Sequence, residues 1–168
     1  MSQALKIVIG GAGGVGKTTY LHRFVHGNFC ADTALTVGVA FITKSIQRNG
    51  KSFSLTMWDL GGQDRFRFVQ GSYVLGARAG IVFFDMSRPS TLLDVREWVS
   101  LFRKNAGATI PIMLGGTKMD CVRCTDIEST IKQASDIVSE LGLAGFVPTS
   151  SKEGTNVDEL MLPLIDRI

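Results

Sequence analysis

The sequence has few cysteines, no long apolar run and little net charge, and each shortage argues against a class of protein. Three cysteines in 168 residues do not make a disulfide framework, so the reducing cytosol is the expected compartment. The longest apolar run, IVFF at 81–84, is far below the ~18 residues of a membrane helix. Residues 1–4 (MSQA) lack the features of a signal peptide. A net charge of +3, scattered along the chain, does not indicate nucleic-acid binding.

The length and composition predict one folded domain over residues 1–168. Apolar residues make up 45% and charged residues 20%, which is typical of a globular protein with a real core. Glycine is the unusual residue, with 19 copies, and its positions guide the functional interpretation.

Short apolar runs alternate with amphipathic stretches, which predicts an α/β fold. The predicted strands are 5–10, 39–48, 52–60, 79–86, 110–115 and 146–149. The predicted helices include 17–26, 90–106, one opened by a Thr125/Glu128 capping box and ended by Gly142, and 156–168, which Pro163 should kink or restart.

We count about six strands and five helices, with helices on both faces of a mostly parallel sheet. Asn49-Gly50 indicates a hairpin, and hence one antiparallel edge strand. Ligands of such sheets bind at the carboxyl ends of the strands.

A glycine-rich loop follows the first predicted strand and opens the first helix. Residues 11–18 (GAGGVGKT) match G-x-x-x-x-G-K-[ST], in which backbone N–H groups and the helix N-terminus hold phosphates. Lys17 should bridge the β- and γ-phosphates, and the Thr18 hydroxyl is placed for Mg²⁺. A glycine-rich turn with a chance Lys-Thr is the alternative. The predicted phosphate-binding residues of this loop are Gly13, Gly14, Val15, Gly16, Lys17, Thr18 and Thr19.

Three further motifs follow later strands. Asp59, in the segment DLGGQ at 59–63, is placed for Mg²⁺ directly or through water, and Gln63 could orient water. Asp120, in GTKMD at 116–120, could accept the N1–H and amino group of guanine, which adenine cannot match. The third motif is the segment TSSK at 149–152, at the end of the sixth predicted strand.

These four motifs in this order resemble a small GTPase of the Ras superfamily, and the resemblance covers nearly the whole chain. It implies a P-loop NTPase fold (a G domain) that hydrolyses GTP to GDP and phosphate and carries two switch loops. In this resemblance Thr36 binds Mg²⁺ and senses the γ-phosphate, Gly62 senses the γ-phosphate, and Asp59 holds Mg²⁺ through water. Gln63 resembles the catalytic glutamine that aligns the attacking water.

The resemblance also implies a guanine site. Its members are Phe29, Thr117, Lys118, Asp120, Ser150, Ser151 and Lys152. A core position is the alternative for Phe29. Thr117 stands where the family usually has Asn, so it keeps one hydrogen bond to the phosphate loop and loses the second, at a cost of about 1 kcal/mol in nucleotide binding.

Within the superfamily the chain is Rab/Ras-like, because residues 63–67 (QDRFR) resemble Rab proteins. The Gly61-Gly62-Gln63 second switch is more similar to the Arf and Gα branches, yet Ser2 replaces the glycine that a myristoylated Arf needs.

The resemblance implies effectors, an exchange factor and a GTPase-activating protein as partners of the switch loops, in signalling or trafficking. We expect Arg65 and Arg67 to face solvent or contact partners, and an arginine from a partner to accelerate hydrolysis, by ~10³–10⁵ in general. Gly13 leaves space for that arginine. The last residues contain no C-a-a-X, so no membrane anchor is expected in this chain: either it is trimmed or it works without a lipid.

A phosphate-binding loop also fits two other functions. A module that binds GTP with little turnover would lack Gln63 or Thr36, and both are present. An ATP-dependent kinase would need an Arg-rich lid, and Asp120 disfavours adenine. The single C-x-x-C at Cys121 and Cys124 is a weak zinc signal, with Cys30, His22 and His26 as the remaining candidate ligands, and surface or half-buried thiols are the alternative.

Overall fold

One six-stranded sheet organises the computed structural model, which describes residues 1–168. The strand order is β2-β3-β1-β4-β5-β6. The strands are β1 Gln3–Gly11, β2 Val39–Arg48, β3 Lys51–Leu60, β4 Ala79–Asp85, β5 Ile112–Thr117 and β6 Gly145–Pro148. The helices are α1 Lys17–His26, α2 Arg67–Val74, α3 Val95–Ala106, α4 Ile127–Leu141 and α5 Val157–Ile165.

The hairpin between β2 and β3 supplies the antiparallel edge. Its register runs from Val39 opposite Leu60 to Arg48 opposite Lys51. Asn49 and Gly50 both have positive φ, as the predicted turn requires. All the other strand pairs are parallel, which confirms the predicted fold class.

The sheet is covered on both faces because neighbouring strand residues point to opposite sides. Ile7 and Phe83 pack into a core beneath α1 and α5, whereas Val8 and Phe84 pack into a second core with α2, α3 and α4. Every residue of β4 is buried, as its apolar sequence predicts.

Two strand glycines let α3 approach the sheet. A Cβ on Gly10 would lie 2.5 Å from the Trp98 ring, and one on Gly80 would lie 2.7 Å from the Phe102 ring. Both aromatic side chains are fully buried against the backbone that these glycines expose.

The predicted capping box at Thr125 is wrong. A turn in which the Asp126 N–H donates to the Arg123 carbonyl keeps Thr125 outside the helix, so α4 begins at Ile127 without a side-chain cap. Residues Pro89–Asp94, most of which the sequence assigns to the predicted helix 90–106, form a 3-10 helix that leads into α3.

The last helix continues through Pro163 to Ile165 rather than to residue 168. Pro163 lies on the exposed side, as does Glu159, whose carbonyl loses its helical donor there and can bond to water. No helix of the chain is both long and apolar enough to cross a membrane.

Candidate functional site

A cleft of about 320 Å³ opens at the carboxyl ends of the parallel strands. Its walls come from the loops after β1, β3, β5 and β6 and from the segment between α1 and β2. Seven of the lining residues lie in or directly against the glycine-rich loop and the start of α1: Gly13, Gly14, Gly16, Lys17, Thr18, Thr19 and Gly62. The others are Phe29, Ala31, Thr33, Ala34, Leu35, Thr36, Gln63, Thr117, Lys118, Asp120, Cys121, Ser151 and Lys152.

Lys17 is buried at the centre of the loop after β1. Its Nζ donates to the carbonyls of Gly11 at 2.9 Å and Ala12 at 3.0 Å. Burial lowers the pKa of Lys17 to about 8, and the charge of Asp59 opposes that shift. This ammonium has no carboxylate in direct contact, so an anionic phosphate oxygen would complete its surroundings.

The three predicted Mg²⁺ ligands meet at the inner end of the cleft. The hydroxyl oxygens of Thr18 and Thr36 lie 2.7 Å apart, and Thr36 donates to Asp59 Oδ2 at 3.1 Å. Thr18 also donates to Asp59 Oδ2. Burial raises the pKa of Asp59, although the Thr18 hydrogen bond, Lys17 and Thr36 act against it.

These residues fit a magnesium ion. Asp59 Oδ1 is buried and has no hydrogen-bond partner, so a cation or its water ligand would satisfy it. Two hydroxyls and a carboxylate are hard oxygen donors of the kind that Mg²⁺ prefers.

Residues 61–63 after β3 (the second switch) contact both residues 11–16 (the phosphate loop) and residues 35–38 before β2 (the first switch). The Gly61 N–H donates to the Gly38 carbonyl at 2.7 Å. A Cβ on Gly62 would lie 2.7 Å from the Gly11 carbonyl oxygen and nearer still to the Gly13 nitrogen. Gln63 lines the cleft, and its Oε1 accepts from Arg65 Nε at 2.8 Å.

Arg67 does not face solvent, which corrects the sequence expectation. Its side chain is only 16% exposed, forms an ion pair with Glu97 and lies 4.9 Å from the centre of the Trp98 ring. Arg67 therefore anchors α2 to α3, an internal role that the sequence could not indicate because Glu97 and Trp98 lie 30 and 31 residues further along the chain.

At the other end of the cleft, a side-chain hydrogen bond fixes the carboxylate of Asp120. Ser150 donates to Asp120 Oδ1 at 2.7 Å, and Ser151 and Lys152 line the wall beside it. Ser150 itself is fully buried, so its side chain orients Asp120 rather than lining the cleft. Lys118 Nζ reaches back to the Gly14 carbonyl at 3.1 Å.

Thr117, the last residue of β5, joins the segment 117–121 (called the base loop) to the phosphate loop. Its buried hydroxyl donates to the Val15 carbonyl, with the Phe84 carbonyl 3.1 Å away. The Val15 side chain is buried beneath the loop, so this residue can serve a ligand only through its backbone.

Phe29 lines the cleft and is 38% exposed, which excludes the core position. Sequence reasoning missed part of the neighbouring wall. The Thr33 hydroxyl lies 2.7 Å from that of Thr19. No motif marks residues 31–35, and nearness to Thr36 in sequence is the one signal that could have found them.

Of the remaining candidate metal ligands, Cys121 alone lines the cleft, where its thiol donates to Asp120 Oδ2 at 3.5 Å. The rings of His22 and His26 lie 4.6 Å apart on one side of α1. Cys121 and Cys124 are exposed free thiols. No group of three or more His, Cys, Asp or Glu side chains is placed to hold a metal ion.

Comparisons with known proteins agree with this geometry. The model of the Ras family matches residues 6–168. Ras-related protein Rab-12 of Homo sapiens is 35% identical over 164 residues, which are 98% of this chain and 66% of that protein. Ras-related protein YPTC6 of Chlamydomonas reinhardtii is 34% identical, covering 97% of this chain and 74% of the relative. RABA2d of Arabidopsis thaliana is 32% identical with the same coverage. The chain thus spans about two thirds of the human relative.

Proposed function

Because this chain belongs to the Ras family, whose members are small GTPases that bind GTP and hydrolyse it, we propose how its cleft carries out that activity. GTP lies with its guanine at Asp120 and its γ-phosphate between Lys17 and Gln63. One observation carries the proposal: a base-selecting carboxylate and a buried ammonium line the same cleft of about 320 Å³, beside the cluster of Thr18, Thr36 and Asp59.

Guanine is selected by the fixed carboxylate. The guanine N1–H and amino group donate as a pair to Asp120, which Ser150 holds in place. Adenine offers no N1–H, so its binding would leave Asp120 without the paired donors that guanine supplies. Phe29 covers the base from the open side of the cleft.

The reaction transfers the γ-phosphoryl group to water. Gln63 orients a water that attacks the γ-phosphorus; the new P–O bond forms as the bond to the β–γ bridging oxygen breaks, and the water's proton leaves with inorganic phosphate. Lys17 neutralises charge on the transferred group. Thr18 and Thr36 directly, and Asp59 through water, would hold Mg²⁺, which would further neutralise phosphate charge.

The two switch loops respond to the γ-phosphate together. Thr36 and Gly62 stand at the same end of the cleft, and the hydrogen bond from Gly61 to Gly38 joins their segments. Hydrolysis removes the shared γ-phosphate contacts, and both segments relax.

The surface beside these loops is suited to binding other proteins. Large apolar side chains are exposed mainly on the two switch segments and the strand between them: Leu35, Val37, Phe41, Phe68, Val69, Tyr73 and Leu75. The Trp58 ring lies 5.5 Å from the Phe41 ring and 5.9 Å from the Tyr73 ring, forming a continuous aromatic strip. Aromatic patches of this kind anchor protein interfaces.

We assign this strip to effectors, and the switch loops to an exchange factor and a GTPase-activating protein, in signalling or trafficking. The cytoplasm is the compartment that such partners imply.

The second switch begins in an Arf-like way, with paired glycines. A Cβ on Gly61 would lie 2.8 Å from the carbonyl oxygens of Thr36 and Gly38. Gly62 has equally little room beside the phosphate loop. Both glycines therefore permit a closer approach than any residue with a side chain would.

Two measurements test the proposal. Mass identification of the nucleotide that co-purifies with the protein should give GDP or GTP, and an adenine nucleotide would contradict it. Single-turnover cleavage of bound GTP should fall about 10²-fold in Gln63→Leu. Gln133→Leu, the same change at an exposed position on α4, is the control and should retain the wild-type rate.

The GTP-binding module with little turnover is not favoured, since Thr36 and Gln63 both line the cleft. A binding module of that kind would retain bound GTP without cleaving it in the presence of Mg²⁺. A Gln63→Leu protein that cleaves GTP as fast as the control would remove Gln63 from the mechanism.

A further inference from the structure

A buried carboxylate at the end of β4 takes no part in the reaction described above. The side chain of Asp85 is 1% exposed, yet two cationic side chains meet it. Arg88 Nε lies 3.0 Å and Lys118 Nζ 2.9 Å from Asp85 Oδ2. The backbone N–H and hydroxyl of Ser87 donate to the other oxygen at 2.9 and 2.6 Å.

Both cations also reach the phosphate loop at the same atom. Arg88 Nη2 and Lys118 Nζ each donate to the Gly14 carbonyl at 3.1 Å. Asp85 thus has one cation from its own loop and one from the base loop, and both converge on the loop that holds the phosphates. Two nitrogens of a rigid guanidinium let Arg88 bind Asp85 and Gly14 at once.

This arrangement differs from an ordinary surface ion pair. A pair exposed on both sides contributes little, because solvent screens it and ordering the side chains costs entropy. Here the carboxylate is buried and accepts four hydrogen bonds or ion-pair contacts, which fixes its position. Burial alone would raise the pKa of Asp85, but Ser87, Lys118 and Arg88 outweigh burial and lower it, so the group stays charged.

The contacts of Asp85 and Arg88 also bear on the threonine at position 117, where an asparagine would make two hydrogen bonds. The Thr117 hydroxyl secures the Val15 carbonyl, but it has no amide arm for a second donation to the phosphate loop. Arg88 supplies an additional donor to the adjacent carbonyl, that of Gly14.

We propose that Asp85 and Arg88 form a brace that slows guanine-nucleotide release by holding the phosphate loop against the base loop, and that the brace offsets the hydrogen bond that Thr117 cannot make. The inference rests on the proposed nucleotide site. Asp85 and Arg88 are positioning residues, because they act through the Gly14 carbonyl and Lys118 and not on the nucleotide itself.

The test is the release rate of fluorescent GDP from the full chain after addition of excess unlabelled GDP. Arg88→Ala should release GDP about 5- to 10-fold faster than wild type, the effect expected for one charge-assisted hydrogen bond. Arg96→Ala is the matched control: Arg96 is similarly exposed and forms a two-pronged ion pair with Glu140, between α3 and α4. Its release rate should stay within twofold of wild type.

The Thr117→Asn background separates bracing from a general loss of structure. If the brace offsets the missing amide, Arg88→Ala should accelerate release at least threefold less in Thr117→Asn than in wild type. A purely structural role would instead lower the melting temperature and change release by the same factor in both backgrounds.

The outcomes are distinguishable. Wild-type protein that retains no labelled GDP would overturn the nucleotide site, and the brace with it. Wild-type protein that retains GDP, while Arg88→Ala releases it no faster than Arg96→Ala does, would overturn the brace alone. Equal acceleration in the two Thr117 backgrounds would refute its compensating role.

Discussion

Replacing Gly62 by alanine should slow GTP hydrolysis and leave nucleotide binding unchanged. The added methyl would lie 2.7 Å from the Gly11 carbonyl oxygen, and ordinary contact begins at about 3.4 Å. The second switch must therefore retreat by at least about 0.7 Å, and by more to clear the Gly13 nitrogen. The phosphate loop cannot give way as easily, because Thr117 and Lys118 hold its carbonyls.

That retreat carries the neighbouring Gln63 with it. A displacement near 1 Å in a positioned catalytic group costs on the order of 10²-fold in rate. We therefore expect single-turnover GTP cleavage to fall about 10²-fold in Gly62→Ala. Release of GDP should stay within twofold of wild type, since Asp120 and Ser150 lie at the opposite end of the cleft.

Gly145→Ala provides the control for a glycine-to-alanine change. Its Cβ would meet only the flexible end of the Met113 side chain, at 3.3 Å, and its φ is not positive. It should leave hydrolysis unchanged. Cleavage in Gly62→Ala within threefold of wild type, with an unaltered melting temperature, would refute the steric argument.

Three further changes test separate parts of the structure. Thr117→Asn should slow GDP release about fivefold in a fluorescence exchange assay, because the amide adds about one hydrogen bond; faster release would contradict the role assigned to this position. Removal of Mg²⁺ with EDTA should accelerate GDP release about tenfold, and an unchanged rate would argue against Thr18, Thr36 and Asp59 as ligands. Arg67→Ala should lower the free energy of unfolding by about 1–2 kcal/mol in urea titrations, because Arg67 packs on Trp98, while exposed Arg65→Ala changes it by less than about 0.5 kcal/mol; equal effects would show that Arg67 is no anchor.

The sequence predicted those helices and turns that are determined by residues within the element itself. The helix at 17–26 and the hairpin around Asn49-Gly50 lie where glycine and turn chemistry place them. The Thr125 box failed although its pattern was correct, because a turn two residues earlier decided where the helix begins. Helix α2 went unplaced, since its position depends on contacts with α3 that no pattern within 67–74 reveals.

Within the cleft, the sequence likewise predicted residues that belong to a motif and missed those that depend on distant contacts. Motifs at strand ends located Lys17, Asp59 and Asp120, because parallel strands bring their carboxyl ends to one edge. Arg88 was missed because a single arginine after a strand carries no signal until Asp85 and Gly14 are seen beside it. Whether each site residue performs the assigned step stays a prediction for the experiments above.

The hydrogen bond from the Gly61 amide to the Gly38 carbonyl has a consequence for recognition. It joins two segments more than twenty residues apart in sequence, so displacing one segment alone breaks this bond at a cost of about 1 kcal/mol. We therefore expect that a partner that binds only one of the two segments still distinguishes the triphosphate form from the diphosphate form. A small interface is then sufficient for this discrimination.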